Sequence, residues 1–226
     1  NKGRDMGSFL KESLTSDIEH YKPDVIGISG NFNSNASFVQ LCCKEIKAVD
    51  KDIKVVLGGH YPTNSYKEIL IGDTNVDYIV LGEGENVMVD IVTAILTKNV
   101  TSLGNHPNVV TRLNCLSGVE LNKRPAIIED INILPPINYE LLEDLESYIT
   151  KPQDIRIIIP RKVPLRAIAM MTSRGCINNC TYCASHKVHG KKMRAFSIER
   201  VMDEIKRLVR TYDINAFIFE DDLFTY

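Results

Sequence analysis

The stretch Ile53-Lys-Val-Val-Leu-Gly-Gly-His-Tyr-Pro62 sets a short apolar run against two glycines and a proline, the pattern of a buried strand ending in a tight turn. Upstream, Lys22-Pro-Asp-Val-Ile-Gly-Ile-Ser-Gly30 has the same form. Downstream, Val76-Asp-Tyr-Ile-Val-Leu81 runs into Gly82-Glu-Gly-Glu85. Helical patterns separate these runs. One starts near Ala36, with apolar Phe38, Val39, Cys42 and Ile46; a short one covers Tyr66–Ile71; a third lies near Val87–Leu96. Alternating strands and helices, with glycines at the strand C-termini, predict an α/β chain with a parallel sheet. Ligands of such sheets bind across those strand ends.

The sheet reads as doubly wound and flavodoxin/Rossmann-like, but partial. Such a fold has about five strands, and only three are legible, so the central first strand of a 2-1-3-4-5 order is expected to be missing. A second strand–helix–strand unit follows near the C-terminus. Leu165-Arg-Ala-Ile-Ala-Met-Met171 reads as a strand leading into Thr172-Ser-Arg-Gly175. Ser197 caps a helix with apolar Ile198, Val201, Met202, Ile205, Leu208 and Val209, with Glu199, Arg200, Lys206 and Arg207 on its wet side. Asn215-Ala-Phe-Ile-Phe219 is the next strand, ending in Glu220-Asp-Asp-Leu-Phe224. This βαβ unit predicts parallel strands and the first units of a (β/α) partial TIM-type barrel, at roughly 30 residues per unit. The cysteine loop and the acidic run would then share the C-terminal end of neighbouring strands. Three segments result: an α/β domain over 1–100, a connector over 101–163, and a barrel start over 164–226, the whole read as the middle of a larger enzyme. The connector is expected to form a hairpin from Asn108–Leu113 and Gly118–Ile128, an extended Ile133–Ile137, and a short acidic helix over Tyr139–Tyr148.

Cys176, Cys180 and Cys183 form a C-x3-C-x2-C cluster in Arg174-Gly-Cys-Ile-Asn-Asn-Cys-Thr-Tyr-Cys183. Three thiolates without a fourth cysteine suit a metal centre that keeps one position open. A zinc staple completed by His186 or His189 is the alternative, worth about 10–16 kcal/mol of folding free energy. Zinc motifs, however, usually divide their ligands between two knuckles. Disulfides are not needed in a chain with this much core, and the adjacent Cys42 and Cys43 on a buried helix suit a reducing cytoplasm. Cys115 has no ligand-type partner nearby and reads as a bystander.

The cysteine spacing resembles the signature of the radical S-adenosylmethionine enzymes, in which three such cysteines hold a [4Fe–4S] cluster and the fourth iron binds S-adenosylmethionine. Phe219-Glu-Asp-Asp-Leu-Phe224 is similar to the form seen in the cobalamin-binding branch of that family. The strand-end turns Ser29-Gly30, Gly58-Gly59-His60 and Gly82-Glu83-Gly84, in this order before the cysteines, resemble its cobalamin-binding domain. The resemblance covers about Ser8 to Tyr226. It implies cluster ligation by the three cysteines, and S-adenosylmethionine contacts from Tyr182, Glu220, Asp221 and Asp222. Cobalamin contacts are implied for Ser29, Gly30, Gly58, Gly59, His60, Gly82, Glu83 and Gly84. A packed core tyrosine is the plain alternative for Tyr182, solvated loop acids for the acidic run, and ordinary turns for the glycines. The Asp-x-His-x-x-Gly motif of methionine-synthase-type cobalamin domains is not in the chain.

By this resemblance the protein is an enzyme, a cytoplasmic transferase. It generates a 5′-deoxyadenosyl radical to methylate or otherwise modify an unactivated carbon of a small molecule, with a one-electron donor such as flavodoxin or ferredoxin. The 226 residues alone are expected to be inactive. A net charge of −2 offers no basic field for nucleic acid, and no run is long and apolar enough to span a membrane. Two other readings stay open. One is a radical S-adenosylmethionine enzyme with a degenerate, cobalamin-free N-terminal sheet, methylthiotransferase-like or oxidative cyclase-like. The other is a non-catalytic zinc-stapled binding module.

Overall fold

A computed structural model describes residues 6–117, 125–149 and 165–225. The chain divides into two compact units, one of residues 1–127 with 182–189, the other of 128–181 with 190–226.

The first unit is built on the three strands expected from the sequence. Strands β1 (Val25–Ser29), β2 (Lys54–Gly58) and β3 (Tyr78–Val80) lie side by side in chain order, all parallel. Val55, Val56 and Leu57 of β2 are at most 1% exposed, as a central parallel strand requires. β1 reads as a buried-type strand but, among the described residues, pairs only with β2, with Gly27 and Ser29 exposed and the rest half-buried. Helix α1 (Met6–Tyr21), not evident in the sequence, packs on α2 (Ala36–Val49) through Leu14 and Ile18. The next helix, α3 (His60–Gly72), starts six residues before the expected Tyr66 and is kinked at Ser65. Helix α4 (Glu85–Leu96) buries Val87, Ile91 and Ala94 on the other side of the sheet, with Val56 and Val80.

The first arm of the expected connector hairpin pairs with the sheet. Val109–Thr111 makes a fourth strand, β4, antiparallel to β3. Thr111 then caps a short helix, α5 (Arg112–Leu116), by accepting from Asn114 N–H. The Arg112 guanidinium donates to Leu70 O, tying α5 to the end of α3 and ending the strand. The start of the other expected hairpin arm, 118–124, lies outside the described residues.

In the second unit β5 (Ala167–Met170) is joined to a two-residue strand β6 (Ser173–Arg174), which pairs antiparallel with β7 (Arg194–Ala195). Helix α7 (Ile198–Tyr212) is capped by Ser197 Oγ, which accepts from Arg200 N–H, and leads to β8 (Ala216–Phe219), parallel to β5 as expected. Only Leu208 of the α7 apolar stripe is fully buried, while Ile198, Met202 and Val209 are exposed. Arg200 and Arg207 do not simply face water. Arg200 donates to Asn132 O and Leu134 O at 2.7 and 2.6 Å, and Arg207 to Ile137 O at 2.7 Å. These bonds strap the 132–137 segment, which starts in a 3₁₀ turn over Ile131–Ile133, along α7. The acidic helix expected over Tyr139–Tyr148 resolves into two 3₁₀ turns, Tyr139–Leu141 and Leu145–Tyr148.

Candidate functional site

Parallel pairing brings the three strand-end turns of the first unit to one edge. Gly30 N–H donates to Gly58 O at 2.8 Å and Tyr61 N–H to Gly30 O at 2.9 Å, so the first two turns are bonded to each other. Ser29 Oγ donates to Asn31 Oδ1 at 3.3 Å. The third turn is joined through Gly82 N–H, which donates to the buried Thr63 Oγ1 at 3.2 Å.

The turn glycines differ in kind. Gly59 and Gly82 have φ of +97° and +77°, and both are crowded: a Cβ would sit 2.7 Å from Asn31 Oδ1 at Gly59 and 2.8 Å from Pro125 Cβ at Gly82. Backbone geometry alone requires glycine there. Gly58 and Gly84 carry no such requirement. A Cβ would have nothing closer than 3.8 Å at Gly58 and 4.0 Å at Gly84. These are the two positions where a missing side chain leaves room for a bulky ligand to approach the backbone. The cradle therefore fits a large planar cofactor at two of its glycines, and serves the fold at two others.

Glu83 reads as a turn acid but is buried, its side chain only 1% exposed. Its carboxylate lies 3.3 Å from Nδ1 of His189, whose ring meets His60 edge-on at 5.7 Å. His189 enters the sequence reading only as a zinc ligand. Its place beside Glu83 is set by the 182–189 segment, where the short helix α6 (Ser185–Val188) packs on α3. Asn108 was also missed. Its amide donates to Leu81 O at 2.9 Å and Ala126 O at 2.8 Å, holding the chain just before Gly82. No local pattern announces either residue, because both partners are remote in sequence.

In the second unit the acidic run and the start of the cysteine loop do meet. Asp221 accepts from Thr172 N–H at 2.8 Å and Ser173 Oγ at 2.7 Å, and Asp222 Oδ2 accepts from Gly175 N–H at 3.2 Å. Two of the three acids are thus bonded within the fold rather than merely solvated. Cys176 is half-buried and Cys180 exposed. Cys183, also half-buried, falls in the 182–189 segment grouped with the first unit. Tyr182 is 90% exposed, which removes the core-tyrosine alternative.

All three thiols are free and accessible, so the donor chemistry fits a thiolate-bound cluster. Among the described residues no three His, Cys, Asp or Glu side chains are grouped to hold a single metal ion. Cys115 packs against the first unit's core, where burial pushes its thiol pKa up. Cys43 is pushed up to about 12, first by burial and then by Asp73. Neither is a reactive ligand candidate.

Comparison with known proteins agrees with the fold. Residues 4–92, which hold the three parallel strands, match the B12 binding domain family. Over 223 residues the chain is 29% identical to an uncharacterized methyltransferase of Pyrococcus horikoshii, covering 96% of this chain and 44% of that protein. It is 28% identical over 221 residues to the anaerobic magnesium-protoporphyrin IX monomethyl ester cyclase of Rubrivivax gelatinosus, covering 94% and 36%. It is 26% identical over 244 residues to the cytidylyl-2-hydroxyethylphosphonate methyltransferase of Streptomyces wedmorensis, covering 96% and 44%. The chain thus spans less than half the length of these relatives. The match over residues 4–92 is in keeping with the cobalamin-dependent radical S-adenosylmethionine proteins that the turns and cysteine spacing resemble.

Proposed function

We propose that the chain works in a cobalamin-dependent radical S-adenosylmethionine enzyme, with Cys176, Cys180 and Cys183 as ligands of a [4Fe–4S] cluster. One observation carries this reading: a B12 binding domain shares its chain with three free thiols in C-x3-C-x2-C spacing. When bound, the cluster supplies the electron that cleaves S-adenosylmethionine, and cobalamin supplies a methyl group or a second redox centre.

The chain's own residues have narrower tasks. The three thiolates would hold the cluster and leave one position open for the cosubstrate. Glu220, exposed at the end of β8, offers a carboxylate to its ammonium, with Asp221 and Asp222 beside it. Tyr182 presents an open ring to the adenine. Ser29, Gly30, Gly58, Gly59, His60, Gly82, Glu83 and Gly84 form the cobalamin edge, with closest approach at Gly58 and Gly84. The substrate class is a small molecule with an unactivated carbon, to be methylated or cyclised, and the electron comes from a flavodoxin- or ferredoxin-type donor. Free thiols and an oxygen-labile centre suit a reducing cytoplasm. No helix among the described residues is long and apolar enough to cross a membrane.

The cobalamin-free alternative has one observation in its favour. The edge at β3 is partly covered by the chain itself, with His189 on Glu83 and Val188 O 3.3 Å from a Cβ built at Gly82. Anaerobic reconstitution with iron, sulfide and hydroxocobalamin tests both readings. In the full-length protein about four irons and one cobalamin per chain are expected. Iron without cobalamin selects the alternative, and zinc uptake without iron overturns the proposal.

A further inference from the structure

The parallel ladder of β5 and β8 ends at the pair Met170–Phe219, with one more bond from Glu220 N–H to Met170 O at 3.0 Å. Beyond it the strands part, and the backbone N–H groups of Thr172 and Ser173 have no strand carbonyl opposite them. Asp221 fills the gap. Its Oδ1 accepts from Thr172 N–H at 2.8 Å, from Thr172 Oγ1 at 3.1 Å and from Ser173 Oγ at 2.7 Å. The same oxygen also accepts from Ser173 N–H, and Oδ2 lies 3.1 Å from Thr172 Oγ1. On the opposite edge Ser173 and Arg174 pair with Ala195 and Arg194, while Phe196 N–H donates to Thr172 O at 2.9 Å. Ser173, at the middle of this arrangement, is buried. The backbone leading into Cys176 is therefore held on both sides, and one of those sides is a side chain.

We infer that Asp221 is a positioning residue: its carboxylate stands in for a strand carbonyl and fixes the Thr172–Gly175 backbone that presents Cys176, rather than holding the S-adenosylmethionine ammonium. A carboxylate has about four acceptor sites, and the donors of two consecutive residues already converge on this one. Asp222 adds the bond to Gly175 N–H, two residues further on. The exposed Glu220 differs from both, since no hydrogen bond engages its side chain among the described residues. The acidic run thus splits by role, with Asp221 and Asp222 turned to the loop and Glu220 left for a cation. The inference rests on the cysteines being cluster ligands, so its test includes a readout that needs no cluster.

Asp221→Ala and Asp221→Asn separate geometry from charge. Asparagine keeps one acceptor oxygen in place for the backbone donors but carries no charge, and alanine removes both. The first readout is amide hydrogen exchange in the metal-free chain, with the α7 amides around Leu208 as the internal standard for folding of the second unit. In Asp221→Ala the Thr172 and Ser173 amides should exchange about ten- to a hundredfold faster, the factor for losing a charge-assisted bond, while Asp221→Asn stays near wild type. The second readout is iron uptake, expected to fall in Asp221→Ala and to be restored in Asp221→Asn. If both variants keep wild-type exchange and iron uptake yet both bind S-adenosylmethionine weakly, Asp221 is an ammonium ligand and the inference is overturned. If wild-type chain takes up no iron but Asp221→Ala still loosens the two amides, the positioning role stands and the cluster reading falls.

Discussion

Gly59→Ala and Gly84→Ala look alike on paper, as one methyl group added to a strand-end turn, yet the structure separates them by several kcal/mol. At Gly59 the residue sits at φ +97° and ψ −172°, a region essentially reserved for glycine, where an L side chain costs about 1–3 kcal/mol. The new Cβ would also lie 2.9 Å from Gly30 O, which cannot withdraw freely because it accepts from Tyr61 N–H. Weakening that bond adds about 0.5–1.5 kcal/mol. The expected loss is about 1.5–4.5 kcal/mol on these two contributions. Gly84 has φ −96° and nothing nearer than 4.0 Å, so alanine there meets no clash; the gain from restricting the unfolded chain is offset by a poorer N-cap for α4, and stability should stay within about 1 kcal/mol of wild type. Urea unfolding followed by circular dichroism gives both values from the midpoint at constant slope. Cobalamin titration then supplies the second axis: Gly84→Ala should weaken binding although its stability hardly changes. Equal stability losses at both positions would refute the division of the glycines. Unaltered cobalamin affinity in Gly84→Ala would refute the placement of the ligand.

Further expectations follow from the same geometry. Alanine at Cys176, Cys180 or Cys183 should abolish the broad absorption of the reconstituted cluster, whereas Cys115→Ala should leave it unchanged. Glu220→Gln should lower S-adenosylmethionine affinity about ten- to a hundredfold with full iron content, as expected for one lost charge-assisted contact. Glu83→Ala removes the buried partner of His189 and should destabilise the first unit by about 1–3 kcal/mol in a denaturant titration. The Cys43 thiol, pushed up to about 12, keeps its proton in the fold well above the pH at which an unfolded cysteine ionises near 8.5. Folded protein therefore binds the extra proton between those values. That contribution to stability is complete below about pH 8.5 and is lost as pH climbs toward 12. Maleimide labelling at pH 8 should accordingly mark Cys180 quickly and spare Cys43 until the chain is unfolded.

Much of this was legible in the residues. The strands at Val25, Lys54 and Tyr78 stand out because a parallel strand covered on both faces has to be an apolar run, and glycine has to follow where the turn is tight. Helix α7 is marked by its Ser197 cap and apolar period. Helix α1 was hidden because only a single file, Leu10, Leu14 and Ile18, turns inward, while Phe9 points out at 59% exposure. The direction of β4 was not legible, since Val109–Thr111 is equally apolar whether it pairs locally or with β3. At the site, the cysteines and the acidic run could be read from spacing and charge. The burial of Glu83 could not, because its partner His189 lies 106 residues further along. Nor could sequence separate Asp221 from Glu220, since only the divergence of β5 and β8 gives the first its donors and leaves the second exposed.

The pairing of β1 has a consequence for how the sheet breathes. Local opening starts where few contacts must be broken, so within these 226 residues β1, half-exposed and paired only with β2 among the described residues, should open at lower free energy than β2. The ligand edge is therefore uneven: Ser29–Gly30 ends the strand that opens first, and Gly58 ends the one that opens last. A ligand spanning both turns would tighten mainly the loose one. Its imprint in an exchange map would be slowed amides along Val25–Gly30, with those of Val55–Leu57 hardly changed.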